Sequence, residues 1–294
     1  MPDNPLYPIV VGADGSVAAT CALRWAAAEA AASGRALRIV HVVDLEVTVY
    51  PRYQPAHYDL REMELMRGHR LLREAREVVR ETASEVIPEL RLDQGKVAEA
   101  LREESRAASL LVLGGRQPRP LDRIAVGSVV VALAAHARCP VVVVRVPDAE
   151  DLPPTEGPVV VGVDHPPSSE EALEIAFEEA ARRGARLIAV HSWDDHEINW
   201  PLDQHDVETH EDDLLAQRLA FWQVKYPDVA VERRIARGRP ADRLLDLADQ
   251  AQLIVVGSRG RGGLKGLLLG STSQTVLSHA LCPVLVARSG EKVR

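Results

Sequence analysis

The sequence predicts an α/β fold built twice in one chain, each copy a parallel sheet covered by helices. Three observations carry this prediction. The chain repeats itself, its short apolar runs alternate with longer amphipathic stretches, and those runs are apolar throughout rather than at every second residue. With 294 residues, the chain has room for one large domain or for two of about 150 residues each.

The repeat decides for two. Residues 8–44 lie over 158–194 without a gap, matching Gly12 to Gly162, Asp14 to Asp164, Gly34 to Gly184 and His41 to His191. At a slightly different offset, residues 110–114 lie over 253–257, Gly127-Ser128 over Gly270-Ser271, and Cys139-Pro140 over Cys282-Pro283. The halves differ mainly in the middle, where the first is longer. The proline- and acid-rich segment around 147–158 reads as a linker, giving domains over 1–147 and 158–294 with 148–157 between them.

In the first half, residues 8–13, 37–43, 110–114 and 141–146 are Val-rich and apolar throughout, as parallel strands covered on both faces must be. Residues 18–33 and 60–84 have helical spacing, 90–93 reads as a short third strand, and 97–107 as a third helix. The second half gives strands over 159–163, 187–191, 229–236, 253–257 and 284–287, a capping-box spacing at Ser168 and Glu171, and a helix starting at Ser271. Strand–helix alternation implies parallel sheets with right-handed crossovers.

Composition narrows the function. Hydrophobic residues make up 46% and charged residues 27%, an ordinary globular mix, and the net charge of −8 argues against a general nucleic-acid binder. Three cysteines form no disulfide framework and suit a reducing compartment. Neither a secretory leader nor an apolar run of about 20 residues is visible, so the expectation is a soluble cytoplasmic protein with no membrane partner.

In open parallel sheets, ligands bind beyond the carboxyl ends of the strands, where strand order reverses. Three features of each half converge there. The first is the end of strand one, with Asp14 and Asp164. An acid there accepts a hydrogen bond from a ribose hydroxyl or helps to hold a metal. Equally, it caps the next helix. The second is the end of strand two, at His41-Val42-Val43 and His191-Ser192-Trp193, whose backbone can read an adenine edge; both histidines read as structurally satisfied. The third is the segment after strand four of the second half, with Gly257, Ser258, Arg259, Gly260, Arg261, Gly263, Lys265, Gly270, Ser271 and Thr272. Glycines allow close backbone approach and positive φ, a helix start presents unpaired N–H groups, and the cations stand out in an acidic chain. Together they suit a triphosphate. No Gly-Lys-Ser/Thr P-loop and no G-x-G-x-x-G after strand one is present.

These residues resemble the universal stress proteins, in particular the ATP-binding, tandem-domain type found in actinobacteria. The resemblance rests on the Gly-x2-Gly-x9-Gly-Ser/Thr pattern after strand four, the Asp ending strand one and the Cys-Pro-Val before the last strand. It implies two doubly wound, five-stranded parallel sheets in order 3-2-1-4-5, paired through their last strands as a pseudo-dimer. It also implies ATP as cofactor, with magnesium as a possible companion, and a homodimer as partner state. Carried over, the second site comprises Gly162, Asp164, Ser192, Gly257, Ser258, Arg259, Gly260, Arg261, Gly263, Gly270, Ser271 and Thr272. A weaker first site comprises Gly12, Asp14, Val42, Gly114, Arg116, Gly127 and Ser128.

The first half departs from the pattern. Gln117 stands where the second glycine belongs, Pro118 and Pro120 lack N–H donors, and Asp122 replaces Lys265, although Arg116, Arg119 and Arg123 bring positive charge. Conversely, it keeps Asp14-Gly15-Ser16 where the second half has Asp164-His165-Pro166-Pro167. Elsewhere the plain reading prevails. His196, His205 and His210 match no zinc signature, Tyr50, Tyr53 and Tyr58 read as lid residues, and Cys21, Cys139 and Cys282 as core. The function expected is a nucleotide-dependent regulator in stress response or growth control. No catalytic residue or metal site is assigned, and weak ATP hydrolysis at most is expected, since no general base or two-magnesium acid cluster is evident. The alternatives are a slow ATPase or phosphotransferase, and a dimeric scaffold with degenerate sites.

Overall fold

A computed structural model describes residues 7–44, 57–115, 127–145, 153–164, 169–193, 204–258 and 269–288, without the side chains of residues 57–60 and 204. They form two compact units.

The first unit holds strands β1 (Ile9–Gly12), β2 (Leu37–Val43), β3 (Glu89–Gln94), β4 (Leu110–Gly114) and β5 (Val141–Val144). Its helices are α1 (Val17–Ser33), α2 (His57–Thr82), α3 (Val97–Glu104) and α4 (Ser128–His136). All four strand pairings are parallel, giving the order β3-β2-β1-β4-β5. β5 is buried along its whole length, as is β4 up to the half-buried Gly114, which is why they read as unbroken Leu and Val runs. Helices α1 and α2 pack together on one face, and α3 and α4 on the other. Gly114 belongs to the first face: a Cβ there would lie 2.4 Å from the Ala18 carbonyl carbon. Gly12 faces the other side, where a Cβ would lie 3.4 Å from Leu101 on α3. Helix α1 starts at Ser16, whose hydroxyl accepts from the Ala19 N–H at 3.1 Å, and ends at Gly34 with φ 66°. That left-handed conformation is one glycine adopts without strain.

The second unit repeats this plan with β6 (Val159–Gly162), β7 (Leu187–Trp193), β8 (Val231–Arg237), β9 (Leu253–Gly257) and β10 (Val284–Ala287). Its helices are α5 (Glu170–Arg183), α6 (Gln204–Lys225), α7 (Pro240–Leu245) and α8 (Ser271–His279). The order is β8-β7-β6-β9-β10, again parallel throughout. Helix α5 ends, like α1, on a left-handed glycine, Gly184. Phe177 of α5 stacks with Trp222 of α6 and with Tyr226 just past its end.

The expected doubly wound α/β architecture with strand order 3-2-1-4-5 is therefore what the chain adopts in each unit. The differences lie at element ends. β7 runs on from His191 to Trp193 because Ser192 and Trp193 pair with Ala236 and Arg237 of β8. β8 begins at Val231 rather than Val229, whose N–H closes a turn onto Tyr226. The third helix stops at Glu104 and finishes as a 3-10 turn over Ser105–Ala107. Helix α5 is preceded by Ser169, not Ser168, and the Ser169 hydroxyl caps nothing; it donates to the Asp164 carbonyl. Among the described residues, no helix is long and apolar enough to cross a membrane.

Candidate functional site

In each unit the first strand lies between the second and the fourth, so its carboxyl end marks the point where strand order reverses. Parallel strands bring Gly162-Val163-Asp164, Ser192-Trp193 and Gly257-Ser258 of the second unit to one edge of its sheet. Gly12-Ala13-Asp14, Val42-Val43 and Gly114-Gly115 share the corresponding edge in the first.

The helix after the fourth strand starts at that edge. Gly270 precedes α8 with φ −64° and ψ 147° and no side-chain cap, and its N–H bonds the Ser258 carbonyl at 2.9 Å. The N–H groups of the first helical turn have no partner within a helix, so those of Ser271 and Thr272 are available to an anion. Ser271 is exposed and Thr272 half-buried. Gly127 precedes α4 in the same way, with φ −62° and ψ 145°, and both Gly127 and Ser128 are exposed. Neither cap glycine has positive φ, so the expectation of left-handed backbone is corrected at these two positions. The want of a side chain is what matters: a Cβ on Gly127 would meet nothing within 4 Å. Gly12, Gly162 and Gly114 have structural reasons of their own, since a Cβ would press on Leu101, Leu244 and Ala18 respectively.

The acids at the end of the first strand differ between units. Asp14 is exposed, and its Oδ1 accepts from the Ser16 N–H at 2.9 Å, so one oxygen closes the turn while Ser16 caps the helix. The Asp164 carbonyl accepts from the Ser169 hydroxyl at 2.7 Å and from the Arg218 guanidinium of α6. Both strand-end histidines serve the backbone. His41 Nδ1 lies 2.7 Å from the Ala13 oxygen and His191 Nδ1 lies 2.8 Å from that of Val163. A carbonyl only accepts, so Nδ1 donates in each case. Ser192 and Val42 are buried one residue further on.

Arg116, Arg259, Gly260, Arg261 and Gly263 lie outside the described residues, as do Gln117, Pro118, Pro120, Asp122, Lys265 and the Tyr50, Tyr53 and Tyr58 side chains. Among the described residues no group of His, Cys, Asp and Glu is arranged to hold a metal.

Four contributors were not foreseen. Ser273 donates to the Gly257 carbonyl at 2.6 Å, fastening the first turn of α8 to the end of β9. Val130 takes its place in the first unit, and Val129 that of Thr272. Ser169 and Arg218 fix the Asp164 carbonyl, and Glu211 of α6 lies 3.0 Å from His191 Nε2. A buried serine in a Ser-Thr-Ser helix start was a readable signal; the partners on α6 were not, because their contacts depend on the phase of a helix packed from elsewhere in the chain. In the first unit Arg145, just past β5, is 2% exposed and lies against Gly115. Burial lowers its guanidinium to about 10, which leaves it charged at neutral pH.

The profile of the Universal stress protein family matches residues 7–145 and 157–288. A universal stress protein of Mycobacterium tuberculosis H37Rv is 39% identical over 302 residues, covering 95% of this chain and 94% of its own. A second from that organism is 40% identical over 288 residues, covering 96% and 97%. Among solved structures, a universal stress protein from Archaeoglobus fulgidus superposes with TM-score 0.75 at 19% identity, covering 96% of this chain and 98% of that one.

Proposed function

The chain belongs to the universal stress protein family, and on that footing we propose that it is a nucleotide-holding regulator whose second domain binds ATP. The observation that carries this reading is the start of α8. Gly270 leaves the first turn without a side-chain cap, Ser271 and Thr272 add hydroxyls, and Ser273 ties the helix to the end of β9. Arg259, Arg261 and Lys265 concentrate positive charge in the connecting segment of a chain with net charge −8. Backbone N–H groups, a helix dipole and cations together suit a polyphosphate.

In this reading Gly257, Ser258, Arg259, Gly260, Arg261, Gly263, Gly270, Ser271 and Thr272 hold the phosphates, with or without magnesium. Asp164, beside Gly162, takes the ribose, and the strand end at Ser192 meets the adenine. The first site, with Gly12, Asp14, Val42, Gly114, Arg116, Gly127 and Ser128, is weaker, since Gln117, Pro118 and Pro120 replace a glycine and two N–H donors. Bound ATP then changes the partners of the chain, which acts in the cytoplasm as a homodimer and turns the nucleotide over slowly or not at all.

The test is to denature freshly purified protein and identify and count the released nucleotide by chromatography and mass spectrometry. One ATP per chain supports the reading with a disabled first site, and two support it with both sites active. No released nucleotide, together with no binding of added ATP, would replace it with an interaction scaffold.

A further inference from the structure

Taking the ATP reading of the second domain as its basis, we infer that Glu211, acting through His191, and Arg218 are positioning residues that clamp the end of β6 and so set the nucleotide affinity of that site. The clamp spans two successive carbonyls. His191 donates to Val163 at 2.8 Å, and Arg218 donates to Asp164, whose carbonyl also takes the Ser169 hydroxyl at 2.7 Å. Glu211 and Arg218 are seven residues apart on α6, two helical turns along one face.

The His191–Glu211 contact holds an extra proton. His191 is 2% exposed, and its Nδ1 hydrogen is committed to Val163. The 3.0 Å contact between Nε2 and Glu211 Oε2 then needs a second hydrogen. A proton shared between Nε2 and Oε2 makes this a charge-assisted hydrogen bond, with the ring side chain 3% and the carboxylate side chain 17% exposed. Among the described residues, charged groups at this end include Arg218 of α6, Asp164 after β6, and Arg237 of β8, whose guanidinium lies 5.9 Å from the Trp193 ring centre.

The first domain provides the contrast within one molecule. Its histidine contact to the strand end is kept, but Gly68 stands at the place of Glu211 and Ala75 at that of Arg218. The equivalence follows from the strand pairing, in which Arg38–Glu89 and Ile188–Glu232 take the same place, and from helices that end together at Thr82 and Lys225. A Cβ on Gly68 would lie 2.6 Å from Leu92 Cδ1 and 3.0 Å from the His41 ring, so any side chain there would have to displace them. That domain fastens its turn locally, through Asp14 Oδ1 and the Ser16 N–H. Pro166 occupies the place of Ser16 in the second domain and has no N–H to give. Among the described residues, the Asp164 backbone is held by the Ser169 hydroxyl and by Arg218 of α6.

The test uses the full chain. ATP titration by calorimetry on wild type, Glu211→Ala, Glu211→Gln and Arg218→Leu is combined with nitrogen-15 spectra of the His191 ring without nucleotide. The expected result is both ring nitrogens protonated in wild type and a roughly tenfold loss of second-site affinity in Glu211→Ala, the scale of one charge-assisted hydrogen bond. Glu211→Gln restores affinity, because its amide donates to a neutral Nε2 while Nδ1 keeps Val163, and the ring spectrum becomes that of one neutral tautomer. Arg218→Leu weakens binding alike and serves where Glu211→Ala lowers the folded fraction. Failure of wild type to bind ATP overturns the ATP reading alone, since the ring spectrum still reports the clamp. Wild-type binding with Glu211→Ala and Arg218→Leu unchanged, or a neutral His191 ring in wild type, overturns the clamp.

Discussion

Glu104, at the end of α3, is the most consequential charge in the first domain outside the candidate site. Its side chain is 4% exposed and receives Arg38 Nη1 at 3.0 Å and Arg91 Nη1 at 2.8 Å, joining β2 and β3 to the helix beneath them. Replacing it with alanine takes a buried carboxylate from both guanidinium groups, leaving Arg91, among the described residues, only Asp93 at 3.4 Å. Removing one partner of a fully buried pair costs roughly 3–5 kcal/mol. Here Arg38 and Arg91 remain 19% and 45% exposed, and Arg38 keeps Glu89 at 2.8 Å, so water and Glu89 recover part of that. A loss of about 2–3 kcal/mol follows. The second domain supplies the control, with Ile188 in place of Arg38 and Leu247 in place of Glu104, both buried. The double variant Arg38→Ile, Glu104→Leu copies that solution and should come within about 1 kcal/mol of wild type. Hydrogen exchange read by mass spectrometry measures both at once, with β7 and β8 as an internal reference. In Glu104→Ala the slow amides of β2 should exchange roughly 30- to 140-fold faster, while β7 is unchanged. An effect below about threefold, or a double variant as labile as the single one, would refute the claim that this ion network secures the β3 edge.

Two further outcomes are expected. Ser273→Ala should lower stability by about 1 kcal/mol through the lost bond to the Gly257 carbonyl and weaken ATP binding at the second site, with Val130→Ala leaving that site's affinity unchanged; denaturant unfolding and calorimetry check the pair. Cys282 is buried with its thiol pushed up to about 12 by desolvation, and Cys21 and Cys139 are buried too, so native protein at pH 8 should resist alkylation at all three until denaturant is added, as counted by intact mass.

The tandem plan was legible because a parallel strand covered on both faces leaves an unambiguous trace. Leu110–Gly114, Leu253–Gly257 and Val284–Ala287 begin and end where their apolar runs do. β3 and β8 lie at sheet edges, and each carries exposed charges, Glu89 in one and Arg233 and Arg234 in the other. Their ends are set by pairing with β2 and β7 rather than by composition, so the expected bounds slipped by one or two residues. The start of α8 was legible from Gly270-Ser271, since a helix beginning beyond a buried strand needs only a local pattern.

The strand-end histidines mark where that legibility stops. That His41 and His191 are structural follows from one geometric fact, a strand-two side chain reaching the last carbonyl of strand one, and the duplication makes the reading robust. The groups that meet those rings from the helices are another matter. Gly68 sits deep inside the charged helix α2, where glycine destabilises by roughly 0.5–1 kcal/mol relative to alanine. Nothing in the neighbouring sequence offsets that. The offset is spatial: the bare Cα lets α2 lie against Leu92 and His41. At the matching position the second domain has room for Glu211, and the place one copy gives to a glycine the other gives to a carboxylate 3.0 Å from the ring. Two copies of one ancestral domain thus keep the same strand-end histidine while differing in what stands behind it. That difference lies on the helix facing β2 and β3 in one copy, β7 and β8 in the other, at the carboxyl edge where strand order reverses. On the proposed ATP reading, a difference in nucleotide affinity between the two sites is expected to have a source in the helix packed behind the strands, as well as in the sequence that follows the fourth strand.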